Sequence, residues 1–261
     1  MEWTLNLNSR AKLKTPVLIE GLPGIGNVGK IAVDFMIEHL GAKKVGELTS
    51  YNLPHCVFVN EDNLIELPEI ELYAKEIKNK TLLFLAGDIQ PLDEKSFYEF
   101  CHTVLDTFQK QNGKEIITLG GIGLPKIPSI PKVYCTGNSK GIVSRYLSKN
   151  VDPKMYGVVG PIIGVSGLLP GLAGKRKIPA VSLLAETFVH PNYMGIKGAK
   201  EILRVLNDKL SLKMDLDSLD NEVIGIEKEM NKVRRMKRLV RRKKSGFRDV
   251  KEHTNEIDYI G

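Results

Sequence analysis

The sharpest chemical signal in the chain is the run Gly21-Leu22-Pro23-Gly24-Ile25-Gly26-Asn27-Val28-Gly29-Lys30. Gly24, Gly26 and Gly29 satisfy G-x-G-x-x-G, a spacing that lets backbone N–H groups approach a phosphate at a helix N-terminus. Glu47 follows at about the distance where such a fingerprint places its ribose-binding acid. Gly24, Gly29 and Lys30 also fit P-loop spacing, but Ile31 stands where a Ser or Thr would hold magnesium, which argues against ATP hydrolysis. A structural role accounts for the same glycines: a tight turn and close packing of a helix on a sheet. A nucleotide- or nucleoside-handling enzyme using Gly24, Gly26, Gly29 and Lys30 therefore stays open as one reading.

The other candidate groups do not assemble a reaction. In Gly164-Val165-Ser166-Gly167-Leu168, Leu168 replaces the last glycine of a nucleophile elbow, so Ser166 reads as a turn residue in a packed apolar loop or partner-facing surface. His55 and Cys56 are adjacent, and adjacent side chains of a strand point to opposite faces. None of His39, His55, His102, His190 and His253 has the i, i+4 partner of a helical zinc site. Cys56, Cys101 and Cys135 are odd in number and far apart, and read as buried free thiols. Glu186, followed by His190, and Asp88 end apolar runs, where a catalytic carboxylate could sit, but a hydrogen-bonded structural carboxylate is the plainer role. No catalytic residue, cofactor or metal is expected.

The elements that hold these residues follow from apolar runs and periodicity. Val17–Glu20, Val45–Leu48, Val57–Val59, Thr81–Gly87, Glu115–Leu119, Lys132–Thr136 and Ala180–Glu186 read as strands. Residues 63–68 could pair as a hairpin with 57–59. Residues 29–40, 198–210 and the stretch holding Phe97, Cys101, Val104, Leu105 and Phe108 have helical spacing, with Asp93 as a cap. Strands alternating with helices imply an α/β sheet flanked by helices, and the pieces near residues 45–67 imply some antiparallel pairing. The expected division is an α/β domain over 1–214, a basic helix over 215–244 and a polar tail over 245–261.

Charge is localised. The 261 residues carry a net +7, but residues 228–244 hold ten basic residues against Glu229, so the rest of the chain is near neutral at −2. That is a local feature, which argues against nucleic acid as a partner; residues 228–244 also lack aromatic side chains for base stacking. No apolar run approaches a membrane span, and Met1-Glu2-Trp3-Thr4 does not begin a signal peptide, which places the chain in the cytoplasm. Leu219, Val223, Ile226, Met230 and Val233 follow heptad spacing, with Lys237 breaking the register before Val240. That stripe fits either docking on the body or pairing between subunits.

Taken together, Gly21–Gly29, Leu85-Ala86-Gly87-Asp88, Gly164–Leu169 and Pro179–Thr187 resemble the proteasome assembly chaperone family, its archaeal members in particular. The resemblance runs in order from about Pro16 to Leu210. It implies a three-layer fold like the nucleoside phosphorylases and hydrolases, an ATP-independent chaperone without catalysis, homo-oligomerisation, and proteasome core subunits as partners. Some related proteins carry a C-terminal hydrophobic–Tyr–any-residue tail that docks on the proteasome α-ring. Here the end is Ile257-Asp258-Tyr259-Ile260-Gly261, with Tyr259 third from last, which departs from that pattern. The expected partner contacts are Val223, Ile226, Met230, Val233, Tyr259 and Ile260.

Overall fold

The computed structural model describes residues 3–8, 13–154, 160–191, 193–217 and 219. In chain order the elements are β1 (Thr4–Leu7), β2 (Val17–Glu20), a 3-10 turn (Ile25–Asn27), α1 (Val28–Leu40), β3 (Lys43–Thr49), β4 (Phe58–Val59), β5 (Ile65–Glu66), β6 (Ile70–Ile77), β7 (Lys80–Gly87), α2 (Glu94–Lys110), β8 (Glu115–Leu124), β9 (Val133–Gly137), α3 (Lys140–Tyr146), α4 (Val165–Lys175), β10 (Ala180–Phe188) and α5 (Ile196–Leu210). Eight strands form one sheet in the order β1-β3-β6-β7-β2-β8-β10-β9, and β4-β5 form a separate ribbon. The centre β7-β2-β8-β10 is parallel. The flanks β1-β3-β6, joined to β7, and β9 on β10 are antiparallel.

The central strands are apolar without alternation because both faces are covered. Helix α1 packs with α5, and α2 with α4, which makes three layers. Leu18, Leu83, Leu85 and Ile116 form one core with Phe100, Leu105, Leu169 and Leu172 from the α2/α4 layer. Trp3 fastens the edge of the sheet to that layer: its Nε1 donates to Ser96 Oγ at 2.9 Å, and its ring meets Phe100 edge-on at 4.8 Å. Asp93 caps α2 as its position predicts, with Oδ1 accepting from Ser96 N at 2.9 Å. Asp93→Ala is expected to cost about 1 kcal/mol, read as a lower denaturant midpoint at fixed protein concentration.

Several elements depart from the sequence reading. β8 does not stop at Leu119 but runs through Gly120, Gly121 and Gly123 to Leu124. β6 and β1, absent from the sequence reading, extend the sheet; β6 mixes apolar residues with Glu71, Lys75 and Glu76. Residues 165–175 are a helix rather than a loop, which moves Ser166 from a turn into the first turn of α4.

The α4 helix forms despite Pro170 because the tertiary structure repairs the missing bond. Proline at that position has no N–H for the carbonyl four residues earlier, that of Ser166. The Ser166 carbonyl instead accepts from Thr118 Oγ1 at 2.7 Å and from Ser182 Oγ at 3.0 Å. Gly167 lets the preceding segment close on the helix, since a Cβ there would lie 2.1 Å from Ile162 O.

Candidate functional site: the carboxyl end of the sheet

After β2 the chain turns toward β3, and after β8 it turns toward β9 and β10. The two strands therefore diverge beyond Thr118, where β2 pairing ends, while β8 stays paired with β10 to Leu124. Open α/β sheets bind ligands in such a crevice. A cleft of about 610 Å3 occupies it, walled by Leu22, Ile25, Phe97, Ile122, Ile162 and Leu184 among others. A second cleft of the same size continues over α2 and α4, sharing Phe97 and Ile162–Gly164. Gln90 ties the two walls of the first cleft together: its Nε2 donates to Pro23 O and its Oε1 accepts from Val165 N at 3.0 Å.

The glycine loop reaches this crevice but is shaped by packing. A Cβ at Gly29 would lie 2.4 Å from Leu119 O, and one at Gly21 would lie 2.3 Å from Gly29 O. Gly26 has φ +63° and faces Thr187. Gly24 alone of the four has free space, its nearest neighbour being Gln90 at 4.0 Å. Lys30 does not face the cleft. Its Nζ lies 3.2 Å from Asp34 and 3.5 Å from Asp88, in a separate acidic groove. Glu47 sits on β3, and β6 and β7 stand between β3 and β2, roughly 14 Å away at strand spacing. The topology thus takes Glu47 away from any ribose held at the loop. None of the described residues lining the first cleft is charged.

The remaining candidate groups have structural partners. Glu186 accepts from Lys132 N at 3.0 Å and Tyr134 Oη at 3.1 Å, fastening β9 to β10. Asp88 accepts from Glu69 N at 3.1 Å. Ser166 Oγ donates to Leu119 O at 3.2 Å. His190 stacks on Phe188. Cys101 and Cys135 are buried, and burial pushes both thiols up, Cys135 to about 11. Cys56 corrects the expectation of three buried thiols, since it is exposed in the loop leading into β4. Among the described residues no group of three or more His, Cys, Asp or Glu could hold a metal ion, and no helix is long and apolar enough to cross a membrane. Val223, Ile226, Met230, Val233, Tyr259 and Ile260 lie outside the described residues.

Two features of this end had no place in the sequence reading. The first is Glu20, the last residue of β2, which is fully buried beneath the cleft. Its Oε1 accepts from Leu22 N at 3.0 Å, while Oε2 has no partner. The Ser166 hydroxyl beside it has a single proton, and it gives that proton to Leu119 O. Burial pushes the Glu20 carboxyl up to about 7 against the lowering effects of the Leu22 N–H and Ser166.

The second feature is the distribution of exposed apolar side chains. Among the described residues, every large one lies at this end of the sheet. Ile25 follows β2. Tyr51 and six residues between Val57 and Leu67 lie between β3 and β6. Leu92 and Tyr98 follow β7, Ile130 follows β8, Ile163 precedes α4, and Val189 and Met194 follow β10. The opposite end instead exposes Lys14, Lys43, Lys78, Lys114, Lys177 and Lys213. Scattered apolar side chains are ordinary on a surface; their concentration at one end marks an interaction face.

Comparison with known proteins agrees with this architecture. The sequence pattern of the PAC2 family matches residues 18–234. The chain belongs to the PAC2 family. Among solved PAC2-like structures, Pyrococcus furiosus PbaB, described as an archaeal proteasome activator, superposes with a TM-score of 0.81 at 31% identity, over 89% of this chain and 99% of that one. P. furiosus PbaA, described as an archaeal homolog of proteasome-assembly chaperone, gives 0.74 at 25% identity, over 94% and 97%. The uncharacterized protein MJ1210 of Methanocaldococcus jannaschii is 28% identical over 224 residues, 85% of this chain and 84% of that relative. The PAC2 match begins within β2 and takes in the whole crevice, including the glycine loop and α4.

Proposed function

We propose that this chain is an ATP-independent, homo-oligomeric protein of the cytoplasm that binds proteasome core subunits and aids their assembly. The observation that carries the reading is the carboxyl end of the sheet. Its clefts are lined mainly by apolar side chains and glycines, and the first offers no charged group to polarise or attack a substrate. A surface of that composition fits a protein partner better than a phosphate, whose charge would find no cation among the described residues lining the first cleft. The descriptions of PbaB as an archaeal proteasome activator and of PbaA as an archaeal homolog of proteasome-assembly chaperone are in accord with such a partner. The heptad residues Val223, Ile226, Met230 and Val233, with Tyr259 and Ile260, are carried in this reading as further partner contacts.

The test is capture of the full-length protein on immobilised proteasome α and β subunits. Retention is expected, and Ile163→Glu is expected to weaken it at least tenfold, because Ile163 lies between the clefts and is 85% exposed. No retention of the folded oligomer at low salt would sink the reading. The enzyme alternative predicts a thermal shift with nucleosides or dinucleotides that Gly24→Ala removes.

A further inference from the structure

The ribbon between β3 and β6 is a shaped element with no cover of its own. Its turn is pinned by Asn60, whose Oδ1 accepts from Asp62 N at 3.0 Å and Leu64 N at 2.9 Å, and whose Nδ2 donates to Glu66 Oε1 at 2.7 Å. Asn63 supplies the left-handed corner at φ +60°. Val59 pairs with Ile65, and by the two-residue period Val57 and Leu67 flank that pair on the same face. Glu66, paired with Phe58, belongs to the other face. One side of the ribbon is therefore wholly apolar, and Val59 and Ile65 on it are 65% and 73% exposed. A two-stranded ribbon alone is marginal in water, and this one buries neither face on the body.

From this we infer that the ribbon is the contact between copies of the chain: the Val57/Val59/Ile65/Leu67 face of one copy packs on the same face of a second about a two-fold axis. The inference deepens the self-association in the proposed function and rests on that part of it. Two observations select a second copy. The face needs a cover whenever the protein is folded, and only another copy is always present in equal amount. Glu66 lies on the far side, so a two-fold contact does not press carboxylates together, and self-complementarity is what an isologous interface requires. The four side chains of that face offer on the order of 450 Å2 per copy, so the ribbon contact is smaller than the ~800 Å2 per partner of a standard interface.

The experiment is light scattering behind size exclusion on the full-length chain, wild type against Val59→Glu and Ile65→Glu, with circular dichroism to confirm folding. The wild type is expected to hold at least two subunits, and each variant to lose at least half of its mass. A monomeric wild type overturns the inference, as does a folded variant with the wild-type mass. Should neither variant fold, the native thiol decides. Cys101 and Cys135 are buried, so a short bismaleimide acts through Cys56 beside the ribbon. A covalent dimer absent in Cys56→Ser is expected, and its absence in the wild type overturns the inference. Unchanged mass with lost capture on proteasome subunits would assign the ribbon to the client and overturn the inference, leaving the proposed function standing. Halved mass in the variants with no wild-type capture would do the reverse.

Discussion

Glu20→Gln is expected to stabilise the protein above neutral pH and to remove a decline in stability that the wild type shows between about pH 4.5 and 7. The unfolded chain loses the Glu20 proton near 4.5, whereas the folded chain holds it to about 7. Across that window the folded state binds more protons than the unfolded one, so wild-type stability falls as pH rises, and above about 7 the loss is complete. The cause is the buried carboxylate itself: one oxygen accepts from Leu22 N, and the other, beside the Ser166 hydroxyl, has no hydrogen-bond partner. Glutamine keeps the shape and the acceptor for Leu22, and puts an N–H₂ where Oε2 stands, beside the Ser166 oxygen. The shift corresponds to an advantage on the order of 3 kcal/mol for the variant at pH 8, and to little difference below pH 4.5. Thermal unfolding of both proteins at matched concentration across this range reads it. Parallel curves would show that Glu20 does not titrate between folded and unfolded states.

Glu20 also shows why the sequence yields the fold more readily than the site. Val17-Leu18-Ile19-Glu20 reads correctly as a buried strand, and so do the runs that became β7 and β10, because a strand covered on both faces needs no alternation. That same rule buries Glu20 along with its neighbours, and an acid closing an apolar run before a glycine was the available signal. The α4 helix was hidden for a different reason. Gly167, Pro170, Gly171 and Gly174 are local breakers, and the hydroxyls of Thr118 and Ser182 that satisfy the Ser166 carbonyl lie 48 and 16 residues away. β6 was hidden by its charges, since Glu71 pairs with Lys44 at 2.5 Å on a flank of the sheet.

Apart from the Gly164–Leu168 segment, read as a packed loop or partner-facing surface, the apolar end could not be read from the chain. Val57-Phe58-Val59 has the same composition as a buried strand, and only its position beyond the last helix cover leaves it in solvent. Burial is a property of the tertiary neighbours, which a run of residue types does not name. The glycine loop is the reverse case. Its spacing was visible and its placement at the end of β2 correct, but two mechanisms share that spacing, and the fold shows which glycines packing requires: Gly21 and Gly29, but not Gly24.

That separation yields the second large expected effect. Gly29→Ala is expected to destabilise the protein by about 3 kcal/mol, while Gly24→Ala leaves stability within about 0.5 kcal/mol of the wild type. At Gly29 the added methyl would meet the backbone oxygen of Leu119 at 2.4 Å, and a backbone atom of a central strand cannot rotate aside. The N-terminus of α1 would have to lift off β8, disturbing Gly21, which already faces Gly29 O. At Gly24 the methyl meets only the end of the Gln90 side chain at 4.0 Å, and the backbone is extended, with φ −158°. A phosphate cradle would need both glycines, and it would show as lost ligand binding in Gly24→Ala with stability intact. A packing device needs Gly29 and tolerates Gly24→Ala in every assay. Unfolding midpoints of the two variants, with capture on proteasome subunits as the functional readout, separate the cases. Equal stability of the two variants would remove the packing account of the loop. If instead only Gly29→Ala is impaired, and its capture falls in step with its fraction unfolded, the glycine spacing records how closely α1, β2 and β8 approach one another, which is the approach that opens the crevice beside them.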